Sequence, residues 1–149
     1  MDAATPHSIS VREAEAGDGA AVATLCTQLG YPTTARAVLV RLARLNAGDA
    51  ARALVAALEG EVIGLATVHL RHTLNHERPL AQLTLLVVDE RVRGRGVGRA
   101  LVAAAETWAL GQGCRRIVVT TALHRTDAHA FYERVGYAHT GRRYGKDFT

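Results

Sequence analysis

Three glycines, Gly94, Gly96 and Gly98, follow an apolar run that ends at Val88. Glycine has no side-chain carbon, so it lets backbone N–H groups approach a ligand closely. A helical apolar pattern begins at Val97, and the first turn of a helix carries unpaired N–H donors and about half a positive charge. A glycine loop that opens a helix is typical of an anion-binding site.

Three arginines, Arg93, Arg95 and Arg99, lie among these glycines. The guanidinium group is planar and always charged, and it matches pairs of phosphate oxygens. Three arginines supply more positive charge than a monoanion needs, and this charge suits a pyrophosphate. No Lys-Ser/Thr pair follows the glycines, so the loop is not a P-loop, and its spacing fits the dinucleotide-binding fingerprint poorly. The alternative is a glycine-rich surface turn with solvated arginines.

A second segment of interest is an amphipathic helix predicted to begin at Thr126 and to stop at Gly136. Its apolar face shows the i, i+3, i+4, i+7 spacing of one side of a helix and consists of Ala128, Phe131, Tyr132 and Val135. The hydroxyl of Tyr132 could donate a proton. The alternative is that Tyr132 is simply a core aromatic beside Phe131.

The remaining helices and strands must position the glycine loop and the helix that carries Tyr132. Hydrophobic periodicity predicts the order β-α-α-β-β-β-α-β-α-β-β, which is a mixed α/β fold with one mostly antiparallel sheet flanked by helices. Asp18 is predicted to cap the first helix. Glu59-Gly60 is a hairpin signal within a meander of three strands. A last pair of strands is predicted at residues 137–139 and 142–148.

Composition indicates one globular domain spanning residues 1–149. This length fits a single domain, and a content of 48% hydrophobic but only 5% aromatic residues predicts a core of Ala, Val and Leu. No leader pattern is found, and no apolar stretch approaches the roughly 20 residues of a membrane span. We therefore expect a cytoplasmic protein that does not bind membranes.

The charge balance suggests an anionic partner. The 18 Lys and Arg residues against 14 Asp and Glu give a formal net charge of +4, and Lys146 is the only lysine. The arginines cluster at the glycine loop without an aromatic stacking platform, so we do not expect nucleic-acid binding. The excess charge favours an anionic cofactor.

Two signatures resemble the GNAT superfamily of N-acetyltransferases. Residues 93–98 (RGRGVG) are similar to its Arg/Gln-x-x-Gly-x-Gly/Ala motif, and residues 128–137 (AHAFYERVGY) are similar to its helix with Phe-Tyr followed by Gly-Phe/Tyr. The order of predicted elements resembles this superfamily over nearly the whole chain. The resemblance implies the acyl-CoA N-acyltransferase fold, with acetyl-CoA as cosubstrate.

The same resemblance implies a cofactor site. Main-chain groups of Leu86, Val87 and Val88 would bind the acetyl carbonyl and the pantetheine arm, beside a bulge in that strand. The amides of the glycine loop would hold the pyrophosphate, where ligand replaces lost backbone pairing. The loop residues implied are Arg93, Gly94, Arg95, Gly96, Val97, Gly98 and Arg99.

Tyr132 stands where this superfamily has its usual general acid. Acetyl transfer to an amine needs a neutral amine, an oxyanion site and a proton for the departing thiolate. Proton donation from a tyrosine, with a pKa of about 10, to a thiolate of pKa about 8.5 is uphill by roughly 2 kcal/mol. We therefore expect Tyr132 to stabilise the thiolate by hydrogen bonding as much as by full proton transfer.

The general base is not evident from the sequence. Many members of the superfamily carry a glutamate where this chain has Leu85 or Thr120. The remaining candidates are a water chain ending at a carbonyl or one of four side chains, His72, His76, Glu77 and His124.

Neither metal nor a covalent intermediate is expected. His69, His72 and His76 have weak ligand spacing, and strand alternation places His69 and His72 on opposite faces. Cys26 and Cys114 match no metal spacing and are expected to be reduced thiols. Because neither cysteine lies near a signature, direct attack by the amine in a ternary complex is preferred.

The first hypothesis is a small-molecule amine acetyltransferase. The resemblance is closest to the aminoalkylphosphonate N-acetyltransferases, through residues 68–76 and 125–132, although that group carries the glutamate that Leu85 replaces. The superfamily further suggests a homodimer. The alternatives are a protein or peptide acetyltransferase, a non-catalytic acyl-CoA-binding module, and a nucleic-acid-binding protein.

Overall fold

The computed structural model describes residues 8–120 and 126–149. The chain divides into two compact units, one up to Val118 and one from Val119 onward. The first unit contains the sheet and three helices, and the second contains one helix and the C-terminal segment.

The sheet has five strands in the order β1-β2-β3-β4-β5. The pairs β1–β2, β2–β3 and β3–β4 are antiparallel, which is the predicted meander extended by the first strand. Glu59 and Gly60 connect β2 to β3 with φ of 53° and 82°, as a two-residue hairpin requires. The strands are β1 (Ile9–Glu13), β2 (Ala51–Leu58), β3 (Glu61–Arg71), β4 (Leu80–Val88) and β5 (Arg116–Val119).

Four helices accompany the sheet: α1 (Gly19–Leu29), α2 (Ala35–Asn46), α3 (Val97–Gly111) and α4 (Thr126–Arg134). The hydroxyl of Thr34 caps α2 by accepting from the N–H of Ala37 at 3.2 Å. Gly30, with φ of 106°, ends α1. None of the helices in the described ranges combines the length and the apolar content that crossing a bilayer requires.

A β-bulge interrupts the pairing of β3 with β4. Thr67 lies opposite Leu85, but the next residue, Val68, lies opposite Leu83, so Thr84 is the extra residue of β4. The hydroxyls of Thr84 and Thr67 are 2.6 Å apart, which ties the bulged residue to its neighbouring strand. The bulge precedes the segment from Leu86 to Val88, in the strand where the family resemblance implied one.

Helices cover both faces of the sheet. On one face, Val22 and Leu25 of α1 and Val38 and Leu42 of α2 form a buried cluster with strand residues Ala53, Val55, Leu65 and Val87. On the other face, α3 packs against Gly64 of β3, where an added Cβ would lie 2.9 Å from both Val97 and Leu101. Glycine is required there because α3 leaves no room for a side chain.

The structure confirms the mixed α/β fold class and the predicted order of elements as far as α4, but the predicted last pair of strands is wrong. No strand is formed in the described residues from 135 to 149, and Tyr144 and Phe148 are 86% and 93% exposed. This segment carries four charged residues, Arg142, Arg143, Lys146 and Asp147, and its apolar side chains bury too little surface to offset the cost of ordering.

Asp18 is the N-cap residue of α1, as predicted, but its side chain does not cap the helix. Its carboxylate makes no cap bond to α1. Instead it accepts from the N–H of Glu15 at 2.7 Å and from both terminal nitrogens of Arg12 at 2.8 and 2.9 Å. Because Asp18 also belongs to a short 3₁₀ turn before α1, its side chain bonds backwards along the chain. The hydrogen bonds from Arg12 lower the pKa of Asp18 despite its burial.

Candidate acetyl-donor site

The segment from Leu86 to Val88 forms the end of β4, where it pairs with β3. Val88 lies opposite Gly64, and the next N–H, that of Asp89, donates to the carbonyl of Ile63 at 2.8 Å. Val87 is buried in the core, whereas Leu86 and Val88 are half-buried. This end of β4 is therefore fixed from the side of β3.

Asp89 holds the turn that leads from β4 into the glycine loop. Its carboxylate is 6% exposed and bonds Nη2 of Arg91 at 2.8 Å and the backbone N–H of Arg91 at 3.0 Å. Arg91 also pairs with Glu61 at 2.8 Å. The side-chain amide of Gln28 accepts from the N–H of Glu90 at 3.1 Å, which attaches the turn to α1. The turn that leads to the loop is thus attached to both β3 and α1.

The hydrogen bonds from Arg91 lower the pKa of Asp89 to about 2. The pKa of an unfolded Asp is about 3.9, so the ionised Asp89 stabilises the folded state at pH values above about 4. This contribution is lost as the pH falls through about 2. The wild type should therefore lose more stability than Asp89→Asn when the pH is lowered from about 4 to about 2. We expect the difference in the free energy of unfolding to be on the order of 1 kcal/mol, a modest value because solvent screens the charge of Arg91.

Denaturant unfolding across this pH range measures the difference. Asp49→Asn is the control, because the Asp49 side chain is 98% exposed and its replacement should leave the pH profile unchanged. The wild type and Asp89→Asn would have superimposable profiles if the Asp89–Arg91 contact did not contribute.

The glycine loop has the backbone geometry of an anion cradle. Gly94 and Gly96 have φ of 83° and 84°, in the left-handed region, and open space surrounds both. Gly96 is the N-cap residue of α3, and no side chain caps this helix. The first N–H groups of α3 are therefore available to a ligand. Val97 is buried on the sheet and anchors the start of the helix, and Gly98 lies in its first turn.

The four arginines around the loop have different roles. Arg91 is engaged with Asp89 and Glu61, so its charge is compensated. Arg93 is exposed and donates through Nε to the carbonyl of Val88 at 3.4 Å. Arg95 and Arg99 are exposed and form no ion pair with residues 8–120 or 126–149. Positive charge remains for an anion at the three predicted positions.

The structure explains why Leu85 is apolar. Its side chain packs against the core cluster formed by α1, α2 and the sheet. Thr120, the other position at which the family resemblance led us to look for a carboxylate, is exposed directly after β5. Of the other base candidates, His72, His76 and Glu77 are exposed in the connection between β3 and β4, and His124 lies outside the described residues. No hydrogen bond or ion pair joins the described residues His72, His76 and Glu77 to one another.

Burial changes the acidity of three further groups. It lowers the pKa of His69, which favours the neutral imidazole. It raises the pKa of the free thiols Cys26 and Cys114, so both are poor nucleophiles at neutral pH. No group of three His, Cys, Asp or Glu side chains suited to a metal is found in the described part of the chain.

Tyr132 lies on α4, in the second unit, and its side chain is buried. Its ring contacts Phe131 edge to face at 5.2 Å and Tyr137 at 5.8 Å between centroids. Gly136 follows the helix with φ of 99°, which confirms the predicted left-handed stop. The aromatic contacts fix the ring of Tyr132 within its own unit.

Two of these features are not among the sequence-based predictions. The pairing of Asp89 with Arg91 was missed, although an acidic residue directly after a strand and two residues before an arginine is a usable signal. Gln28 lies 62 residues from its partner Glu90, so no local pattern indicates it.

The family model described as Acetyltransferase (GNAT) family matches residues 18–137. The chain is 34% identical over 137 residues to the aminoglycoside N(6')-acetyltransferase type 1 of Stenotrophomonas maltophilia, covering 89% of this chain and 88% of that protein. It is 36% identical over 87 residues to the aminoalkylphosphonate N-acetyltransferase of Salmonella typhimurium, covering 58% of this chain and 56% of that protein.

The solved structures include the aminoglycoside N-acetyltransferase AAC(6')-Iy in complex with CoA. It superimposes on this chain with a TM-score of 0.86 at 23% identity and covers 97% of each chain. At this identity the likeness establishes the fold.

Proposed function

Because this chain belongs to the GNAT family of acetyltransferases, we propose that it transfers the acetyl group of acetyl-CoA to a primary amine of a small molecule. The observation that carries this proposal is the glycine loop at the end of β4. It combines left-handed glycines, an uncapped helix N-terminus and three arginines that remain available to an anion.

The cosubstrate is acetyl-CoA, and the loop suits its pyrophosphate. N–H groups from Gly94 to Arg99 would donate to the phosphate oxygens, and Arg93, Arg95 and Arg99 would supply the compensating charge. Main-chain groups of Leu86, Val87 and Val88 would hold the acetyl carbonyl and the pantetheine arm. The bulge at Thr84 supports this assignment, because it lies in the strand where the family resemblance implies one.

We assign the general acid to Tyr132, on its place in the second family signature. The departing thiolate would accept a hydrogen bond from its hydroxyl while the amine attacks the thioester carbon directly. The new C–N bond forms as the C–S bond breaks, and the amine loses one proton. Leu85 cannot take that proton, which leaves for the base a water chain ending at a carbonyl or one of His72, His76, Glu77 and His124.

The acceptor is proposed to be small on the strength of the two relatives, whose names state an aminoglycoside and an aminoalkylphosphonate. A single domain, a homodimer and a cytoplasmic location complete the proposal, with no nucleic acid, membrane or metal involved. The raised pKa of both thiols supports direct attack over an acyl-cysteine intermediate.

The test is the release of free thiol from acetyl-CoA in the presence of different amines. We expect turnover with one class of small amine among aminoalkylphosphonates, aminoglycosides and polyamines, and none with peptides. Preferred turnover of a peptide would identify a protein acetyltransferase. Tight binding of acetyl-CoA without thiol release for any amine would identify a non-catalytic acyl-CoA-binding module.

A further inference from the structure

A group of polar side chains lies on one face of β3 and β4, on either side of the bulge. We call it the β3–β4 polar face, and it consists of Thr67, His69, Arg71, Gln82 and Thr84. Alternate residues of a strand share a face, which places the three β3 residues together. Gln82 lies opposite His69, and the hydroxyls of Thr67 and Thr84 are 2.6 Å apart. The residues therefore form a continuous surface.

This face carries fixed positive charge at its outer end. Arg71 is exposed, and its Nη1 donates to the side-chain oxygen of Gln82 at 3.0 Å. That bond lays the guanidinium along the face and leaves its other N–H groups for a ligand, since a guanidinium has five donors. Leu85, directly after the bulge, begins the apolar core. The face is thus polar and cationic on one side of the bulge and apolar on the other.

A cavity adjoins the same face at His69. Its volume is about 330 Å³, and it lies between the C-terminal turn of α2 and the paired ends of β2 and β3. Its lining includes Arg44 of α2 as well as His69, and within the described chain no Asp or Glu lines it. The neighbouring Asp49 has a side chain that is 98% exposed and contacts Arg52 at 3.8 Å. The rest of the lining is apolar or glycine, so Arg44 and His69 are the two lining residues with polar side chains.

The distances along the strand fit a short bifunctional molecule. His69 lies two residues from Thr67, about 7 Å at a strand rise of about 3.3 Å per residue. The proposed function places the acetyl group at Leu86 to Val88, beyond the bulge at Thr84. An amine that reacts at the Leu86 end of that segment would direct a group several carbons away towards His69 and Gln82. There it would meet the guanidinium of Arg71.

From this arrangement we propose that the acceptor is an amine that also carries an anionic group, and that Arg71, with Gln82, His69 and Arg44, binds that group. This inference rests on the proposed function for the position of the amine. The anion is a phosphonate, phosphate or carboxylate, each of which a guanidinium can bind through two oxygens. A polycationic acceptor is disfavoured because Arg71 carries a positive charge on this face, and Arg44 lines a cavity in whose described lining no Asp or Glu is found.

The experiment compares acceptors that differ only in the anionic group. 3-Aminopropylphosphonate, 3-aminopropyl phosphate and 4-aminobutyrate are each compared with 3-aminopropanol, and kanamycin represents the polycationic class. We expect KM at least tenfold lower for one of the anionic amines than for 3-aminopropanol. Arg71→Gln should raise that KM about tenfold and leave KM for acetyl-CoA and for 3-aminopropanol unchanged. The ranking of the three anions identifies the source of the charge.

Arg36→Gln is the matched control. It removes one positive charge from the exposed first turn of α2, whereas Arg44→Gln removes one from the last turn beside the cavity. Only Arg44→Gln should raise KM for the anionic amine. Equal KM values for anionic and neutral amines, or preferred turnover of kanamycin, would overturn the inference.

Calorimetric binding separates this inference from the proposed function. 3-Aminopropylphosphonate is titrated into the wild type and into Arg71→Gln, each with CoA bound. If no amine is acetylated but the wild type binds this probe more tightly than the variant, the proposed function fails and the anion site stands. If amines are acetylated and both proteins bind the probe equally, the anion site fails alone.

Discussion

Replacing Tyr132 by Phe is expected to lower kcat about 100-fold or more, because a positioned general acid contributes roughly that factor. The substitution removes one hydroxyl and keeps the ring. The edge-to-face contact with Phe131 and the contact with Tyr137 therefore persist, and KM for acetyl-CoA should stay within about twofold of wild type, since the lost interaction acts mainly in the transition state.

Tyr137→Phe is the matched control for this prediction. It makes the same chemical change at the partner ring, 5.8 Å away, and we expect kcat close to wild type. Steady-state kinetics of thiol release measure both variants, and thermal unfolding checks that both are folded. An unchanged kcat in Tyr132→Phe would show that the leaving thiolate takes its proton from another group.

Replacing Gly96 by Ala should raise KM for acetyl-CoA tenfold or more. Gly96 has φ of 84°, and an L-residue in the left-handed region costs roughly 1–2 kcal/mol. The loop can relieve that strain only by turning its amides away from the ligand. If the loop holds, the new methyl group enters the open space that the phosphates would occupy. Either outcome weakens binding, and about 1.4 kcal/mol corresponds to a tenfold change in affinity.

Gly113→Ala separates strain from ligand binding. Gly113 has φ of 78° and open surroundings, and it lies beyond the other end of α3. Both substitutions should reduce the free energy of unfolding by about 1 kcal/mol, but only Gly96→Ala should change KM for acetyl-CoA. Equal KM values for acetyl-CoA in the two variants would show that the loop does not bind the cofactor.

Features that depend on neighbouring residues could be predicted from the sequence. The turn at Glu59-Gly60 and the stop at Gly136 each follow from local backbone chemistry, and the structure confirms both. The loop from Gly94 could be predicted for the same reason, because its glycines, the preceding strand and the following helix are contiguous.

Features that depend on tertiary contacts could not be predicted. The sequence does not show that Glu61 pairs with Arg91, 30 residues away. Because of that pair, the charge of Arg91 is compensated, whereas the charges of Arg93, Arg95 and Arg99 remain for an anion. The β3–β4 polar face depends on the register set by the bulge at Thr84, and a shift of one residue would have turned Gln82 away from His69. A strand at residues 142–148 would need a partner strand, and the local sequence provides none.

Gly64 has a consequence that extends beyond the core. The helix α3 contacts it through Val97 and Leu101, and Val97 directly follows Gly96, whose conformation opens the anion cradle. A larger residue at position 64 would lift the beginning of α3 from the sheet and displace its N–H donors relative to the end of β4. Selection for acetyl-CoA affinity would therefore act on a buried position that touches no ligand, and a screen for binding defects should recover substitutions there.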